Sequence, residues 1–255
     1  MELNKIIQGD CLEVMKEIED KSIDMILCDL PYRTTACKWD TIIPFEPLWE
    51  QYKRIIKDNG AIVLTASQPF TSALVMSNIK MFKYEWVWDK KTGLGFLDAK
   101  FRPLKSHENI LIFGFGGVSN GSKIKMNYFP QGVISNIKTK KNKVKYEGLH
   151  SNPSKKNYKT TGTNYPKSIQ SFLKDTGLHP TQKPVALFEY LIRTYSNEGD
   201  LVLDNCAGSG TTAIAAINTK RNYILIEKEP EYVKICEERI KNIDIIKYGT
   251  NNKLQ

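Results

Sequence analysis

Leu201-Val202-Leu203-Asp204-Asn205-Cys206-Ala207-Gly208-Ser209-Gly210-Thr211-Thr212 is the stretch whose reading decides the fold. Its apolar start reads as a short strand that ends in a carboxylate. A glycine-rich turn follows, where backbone without a Cβ can bend sharply and approach a ligand. A helix then runs over 211–218. Next, 222–226 reads as a second strand, ending at Glu227. An acid at that offset from Asp204 commonly takes ribose hydroxyls in doubly wound sheets. The pattern G-x-G-x-x-G is missing, and so is the lysine of a phosphate-binding loop. Acids stand where a phosphate site would need donors, so the expected ligand is a phosphate-free nucleoside with a cationic centre. An ordinary strand-to-helix turn with an acid at a strand end is the competing reading.

Outward from this stretch the alternation continues. Residues 4–7 and 23–28 read as strands, and 12–18 has helical spacing. A helix is expected over 45–57, stopped by Asn59-Gly60. A strand at 61–66, a helix at 69–79 and strands at 84–88 and 109–113 follow. Pro184 opens a helix to 195, and Pro230 starts a last one with Tyr232, Val233, Ile235, Cys236 and Ile240 on its apolar face. This predicts an α/β domain with a mostly parallel sheet, built from 1–114 and 179–255. The 255 residues, 41% hydrophobic, suffice for one such core.

Residues 115–178 break the pattern. They hold twelve lysines, no arginine and two acids, Glu147 and Asp175, so the segment carries +10 and the rest of the chain −1. Tyr128, Phe129, Tyr146, Tyr158, Tyr165 and Phe172 are spread among the lysines. Such a surface can follow a nucleic-acid backbone, with Lys138, Lys140, Lys141, Lys143 and Lys145 as the phosphate contacts. A plain linker is the other reading of the same composition. The five cysteines, Cys11, Cys28, Cys37, Cys206 and Cys236, form no CxxC pair, and histidine is scarce. Neither a disulfide framework nor a metal site is expected, and a reducing cytoplasm fits. No apolar run is long enough to span a membrane, and the first ten residues lack the apolar core of a signal peptide.

Asp29-Leu30-Pro31-Tyr32 follows the strand at 23–28. A short proline turn at the carboxyl end of a sheet strand projects side chains into the ligand crevice. Asp29 and a turn carbonyl can each accept one N–H of an exocyclic amine, and Tyr32 can stack on its ring. A surface turn is the simpler reading. His107 is expected to hydrogen-bond structurally, and Trp39, Trp86 and Trp88 to be core. Lys90 reads equally as a DNA contact or a solvated side chain, and so does Arg33.

Taken together, these residues resemble the permuted, beta-group DNA methyltransferases that methylate amino groups, in which the catalytic motif precedes the cofactor motif. Residues 29–32 resemble their Asp-Pro-Pro-Tyr motif, with Leu30 in place of the first proline. Residues 204–212 resemble their Asp-Pro-Phe-x-Gly-Ser-Gly-Thr-Thr loop, with Asn205 and Cys206 in place of proline and phenylalanine. His179-Pro180-Thr181-Gln182-Lys183-Pro184, Gly9-Asp10-Cys11-Leu12, Trp86-Val87-Trp88-Asp89-Lys90 and His107-Glu108-Asn109 resemble further family segments, in the family's order. The resemblance implies a Rossmann-like methyltransferase fold. It implies S-adenosylmethionine as cofactor, held by Asp10, Cys11, Asp29, Lys183, Asp204, Cys206, Gly208, Ser209, Gly210, Thr211, Thr212 and Glu227. It also implies double-stranded DNA as substrate and 115–178 as the target recognition lobe. The base would be flipped out and methylated in line. Asp at the head of the motif resembles adenine-N6 enzymes more than cytosine-N4 ones. Cytosine-N4 transfer, methylation of RNA or, against the basic lobe, of a protein amide, and an inert DNA-binding module with this fold stay open. So do a partner restriction endonuclease, an orphan role and the oligomeric state.

Overall fold

The computed structural model describes residues 2–32, 41–140, 158–174 and 182–249. Arg33, Cys37, Trp39, Lys141, Lys143, Lys145 and 179–181 lie outside them. The strands are β1 (Lys5–Gln8), β2 (Ile23–Cys28), β3 (Ile56–Ala66), β4 (Phe82–Leu94), β5 (Lys105–Phe113), β6 (Ile134–Lys140), β7 (Tyr158–Thr163), β8 (Ile169–Ser171), β9 (Leu201–Asp204) and β10 (Asn222–Glu227). The α-helices are α1 (Cys11–Val14), α2 (Phe45–Ile55), α3 (Phe70–Ser77), α4 (Val185–Tyr195), α5 (Thr211–Asn218) and α6 (Pro230–Gly249). None among the described residues is long and apolar enough to cross a membrane.

The main sheet has the order β1-β10-β9-β2-β3-β5-β4-β8. Only β5 runs against its neighbours, so the sheet is mostly parallel, as the sequence predicts. Such a sheet must be covered on both faces. Along β2, Ile26 and Cys28 join one core with Leu48, Tyr52 and Ile55 of α2, and Phe70 and Leu74 of α3. Met25 and Leu27 face the other way, onto Leu187, Phe188 and Leu191 of α4 and Ala213 and Ala216 of α5. The period of two therefore divides one strand between two cores. Trp86 and Trp88 belong to the second core, as expected. The Trp86 indole donates to Tyr195 Oη at 2.6 Å, and that of Trp88 to the Phe172 carbonyl at 2.9 Å.

Three local expectations are corrected. Helix α2 ends at Ile55 rather than 57, and Ile56 already pairs with Ile23. Asn59-Gly60 then sits in an irregularity within β3, between the pairs Ile23↔Ile56 and Met25↔Ala61. A Cβ on Gly60 would lie 2.8 Å from the Asp24 carbonyl, so the close approach needs glycine. Strand β4 is longer than 84–88 and runs on to Leu94.

The chain divides into two compact units, 2–129 with 168–249, and Pro130–Lys167. The first includes Met126, buried in the second core, and β8, which pairs with β4. Among the described residues of the second, β6 and β7 pair as a two-stranded antiparallel ribbon, in which Lys138 pairs with Thr160 and Lys140 with Tyr158. It lies inside the lysine-rich stretch 115–178.

Candidate active site

Strands β1, β2, β9 and β10 are neighbours and parallel, so their carboxyl ends share one edge of the sheet. A cavity of about 680 Å³ opens there. The sequence had named four segments at this edge, 9–12, 29–32, 204–209 and Glu227, and all line the cavity. Lys183 and Thr211 line it too. Gly210 and Thr212 do not, and act from behind the wall. Crevices outside strand carboxyl ends are where open α/β sheets bind ligands.

At one end of the cavity, backbone bonds fix the loops against each other. Gly9 N–H donates to the Glu227 carbonyl at 2.9 Å, and Ala207 N–H to the Ile226 carbonyl at 3.0 Å. Glu227 Oε2 accepts Gly208 N–H at 2.7 Å, and Oε1 accepts Glu229 N–H at 2.9 Å. The acid that ends β10 thus holds the glycine loop while keeping lone pairs free for a ligand. Asp204 is buried, accepts Cys206 N–H at 3.0 Å and a hydrogen bond from Thr212. Burial pushes its carboxyl up to about 6, against the pull of those two donors. Gly210 has φ +78°, and a Cβ there would lie 2.2 Å from Cys236 Sγ. Asn205 accepts from Tyr52 Oη at 2.5 Å. Asp10 caps α1 by accepting Leu12 N–H at 2.9 Å. The Cys11, Cys28 and Cys206 thiols meet beside it, and burial pushes Cys28 up to about 12.

At the other end, Asp29 is the hub. Its Oδ1 accepts from Tyr32 Oη at 2.5 Å and from Thr65 Oγ1, and its Oδ2 accepts from Lys183. Tyr32 stacks on Phe70, with centroids 5.2 Å apart and planes inclined by 28°. Burial and then the Asp29 charge push its phenol well above the usual range. Lys183 is buried as well, 3.5 Å from Glu108, which pairs with the buried Lys90. Burial alone would lower the Lys183 pKa, but Asp29 and Glu108 together raise it, so it stays an ammonium at neutral pH. Two cations and two carboxylates thus alternate, from Lys90 through Glu108 and Lys183 to Asp29.

Sequence reasoning missed part of this end. Lys90 is neither solvated nor a free cation, but is a buried part of the cavity lining, paired with Glu108 and 5.0 Å from the Trp88 ring centroid. Glu108 carried no assigned role, though an acid heading the apolar run 110–113 was a signal. Thr65 gave none, since a threonine at a strand end is ordinary. His107 is exposed and does not line the cavity. Lys183, which the resemblance gave to the cofactor, has its Nζ on Asp29.

The sequence profile of the DNA methylase family, which covers N6 and N4 methyltransferases, matches residues 23–238. The chain is an amino-methylating DNA methyltransferase. Among its relatives is the type II methyltransferase M.HinfI of Haemophilus influenzae, 30% identical over 94% of this chain and 69% of that protein. The DNA adenine methyltransferase YhdJ of Escherichia coli is 30% identical over 94% of this chain and 83% of its own. Two solved structures share the fold. The M1.HpyAVI complex with S-adenosylmethionine has a TM-score of 0.60 at 23% identity, covering 92% of this chain and 98% of that one. The cytosine-N4-specific PvuII methyltransferase has a TM-score of 0.64 at 17% identity, covering 92% and 85%.

The methyltransferase takes S-adenosylmethionine, and its cavity fits that molecule. The volume suits a nucleoside with an amino-acid tail. Asp10 and Glu227 on the wall match ribose hydroxyls and positive charge. No atom lies within 4 Å of where a Gly208 Cβ would sit, so the loop backbone is open to a ligand.

Proposed function

We propose that the chain methylates N6 of adenine in double-stranded DNA, on a base flipped into the Asp29 end of the cavity. The observation that carries this is the Asp29 hub, a carboxylate and a stacked tyrosine at the same cavity as the Glu227 loop. Glu227 holds the ribose hydroxyls, while Asp10 and Cys11 flank the adenine of the cofactor. When bound, S-adenosylmethionine supplies a sulfonium methyl, the electrophile for the target nitrogen. Asp29 and a carbonyl of the Leu30-Pro31 turn accept the two N–H bonds of the target amine. This draws the nitrogen lone pair out of conjugation with the ring. Tyr32 presents its face to the base, and its hydroxyl, held on Asp29, fixes the ring plane. Lys183 and Thr65 hold the carboxylate in place before the base arrives, which is the preorganisation that transition-state stabilisation requires. Asp29 is also the carboxylate nearest the nitrogen that must shed a proton after transfer.

Asp at the head of the motif, together with the relationship to YhdJ, supports adenine. The stretch 115–178, which contains the β6–β7 ribbon, serves as the target recognition lobe, with Lys138 and Lys140 in β6 and Lys141, Lys143 and Lys145 next in sequence. Type II relatives support a role in restriction-modification. Four free thiols among the described residues fit a reducing cytoplasm. The test is to incubate unmethylated genomic DNA with protein and cofactor, digest it to nucleosides and analyse them by mass spectrometry. N6-methyladenine is expected. N4-methylcytosine overturns the choice of base, and no methylated nucleoside favours an inert binding module.

A further inference from the structure

The hairpin between β4 and β5 closes on the pair Leu94↔Lys105, and both residues line the cavity. Beyond them the tip is ordered by its own backbone. Gly95 turns at φ +90° into a 3-10 turn at Phe96–Asp98. The Asp98 carbonyl then accepts Phe101 N–H at 2.8 Å and Arg102 N–H at 3.0 Å. This small frame holds Phe96, Leu97 and Phe101 out in solvent, 81%, 97% and 87% exposed. Turns ordinarily carry polar residues, and three large apolar side chains together on an exposed tip mark a contact surface. Lys100 and Arg102 stand beside them in sequence, Arg102 paired with Asp98, and residues 91–105 as a whole carry +3.

We propose that this tip is a wedge that enters duplex DNA beside the target base, with Phe96, Leu97 and Phe101 against base faces and Lys100 and Arg102 towards phosphates. The inference rests on the reading of the cavity as the pocket for a flipped base. A polyanion with stacked apolar faces inside it matches both properties of the tip. A second copy of the chain would set +3 against +3. Apolar side chains inserted between base steps are a known way of holding a duplex open. The hairpin roots at the cavity wall, so an inserted tip would stand next to the base that has left the stack.

Two measurements test the wedge. The first places a photo-crosslinker by Leu97→p-benzoylphenylalanine, with S-adenosylhomocysteine and sheared, end-labelled bacterial genomic DNA. A covalent adduct to DNA is expected, and none from the same substitution at Met76, an exposed residue of α3. The second is the triple variant Phe96→Ser, Leu97→Ser, Phe101→Ser, whose melting temperature and cofactor affinity should match wild type. Its methylation of duplex DNA should fall at least about tenfold, the equivalent of one lost base stack. No adduct at 97, an adduct to a second copy in place of DNA, or activity within threefold of wild type overturns the wedge. Wild-type protein that does not methylate this DNA overturns instead the reading on which the wedge rests.

Discussion

Single carboxylates do different work at the two ends of the cavity, and the difference comes from their neighbours. Glu227 accepts one backbone N–H on each oxygen and still faces the cavity. Two ribose hydroxyls on a carboxylate are worth about 1.5–3 kcal/mol. Glu227→Ala should weaken S-adenosylmethionine binding by about ten- to a hundredfold in a calorimetric titration. Unchanged affinity would remove Glu227 from the site. Asp204 has no such outlet. Its folded pKa, about 6, is raised from 3.8, so the folded chain holds a proton that the unfolded chain has lost. Stability from this group is therefore full below about pH 4 and falls as pH rises through 6. Asp204→Asn should remove that fall, and chemical denaturation at pH 4.5 and 7 would show a smaller difference between the two than in wild type. An equal difference would mean that Asp204 ionises freely. Asp29 was legible because carboxylate, proline and tyrosine are consecutive. Its partners Thr65 and Lys183, and Glu108 beside Lys183, were not legible as one cluster, because they meet only through strand pairing and the return of the chain at 182–184.

Elements were most legible where apolar periodicity met a sharp stop. Strand β2 stops at Asp29, β9 at Asn205, and β10 after Glu227, and each stop delivers a residue to the cavity. The α2–β3 junction was misplaced because Asn59-Gly60 is a break inside a strand, where the backbone crowds the Asp24 carbonyl, and not the end of a helix. The reach of β4 to Leu94 was hidden because Asp89, Lys90 and Lys91 interrupt its apolar run, one of them buried by an ion pair. The glycine loop gives a prediction at this scale. Gly210 combines a left-handed φ with a Cβ position occupied by Cys236. Gly210→Ala should destabilise by about 2–4 kcal/mol, from backbone strain plus overpacking between α5 and α6. Adding Cys236→Ala should recover only the packing part, leaving about 1–2 kcal/mol of backbone strain. Full recovery in thermal melts would show that the left-handed turn adds nothing.

The molecule as a whole divides its charge. The unit built on the large sheet is close to neutral, and the positive excess lies in 115–178. If five lysines there meet phosphates, log K for DNA should fall against log salt with a slope near about −4.5. Neutralising Lys138, Lys140, Lys141, Lys143 and Lys145 should flatten the slope and leave cofactor affinity intact. An unchanged slope would place the phosphates elsewhere. Composition revealed this division, but not the β6–β7 ribbon, since its few apolar residues, Ile134, Ile137 and Tyr158, do not recur with a period of two. The proposed methyl transfer centres on Asp29, whose carboxylate follows β2 and is held by Tyr32, Thr65 and Lys183. The most direct measurement is single-turnover methylation of duplex DNA with tritiated S-adenosylmethionine, on wild type and Asp29→Ala, both confirmed folded. Loss of one preorganised polar group typically lowers the rate by about a hundred- to a thousandfold. A loss of that size with cofactor affinity retained is the predicted result, and transfer within a factor of ten of wild type would contradict the account.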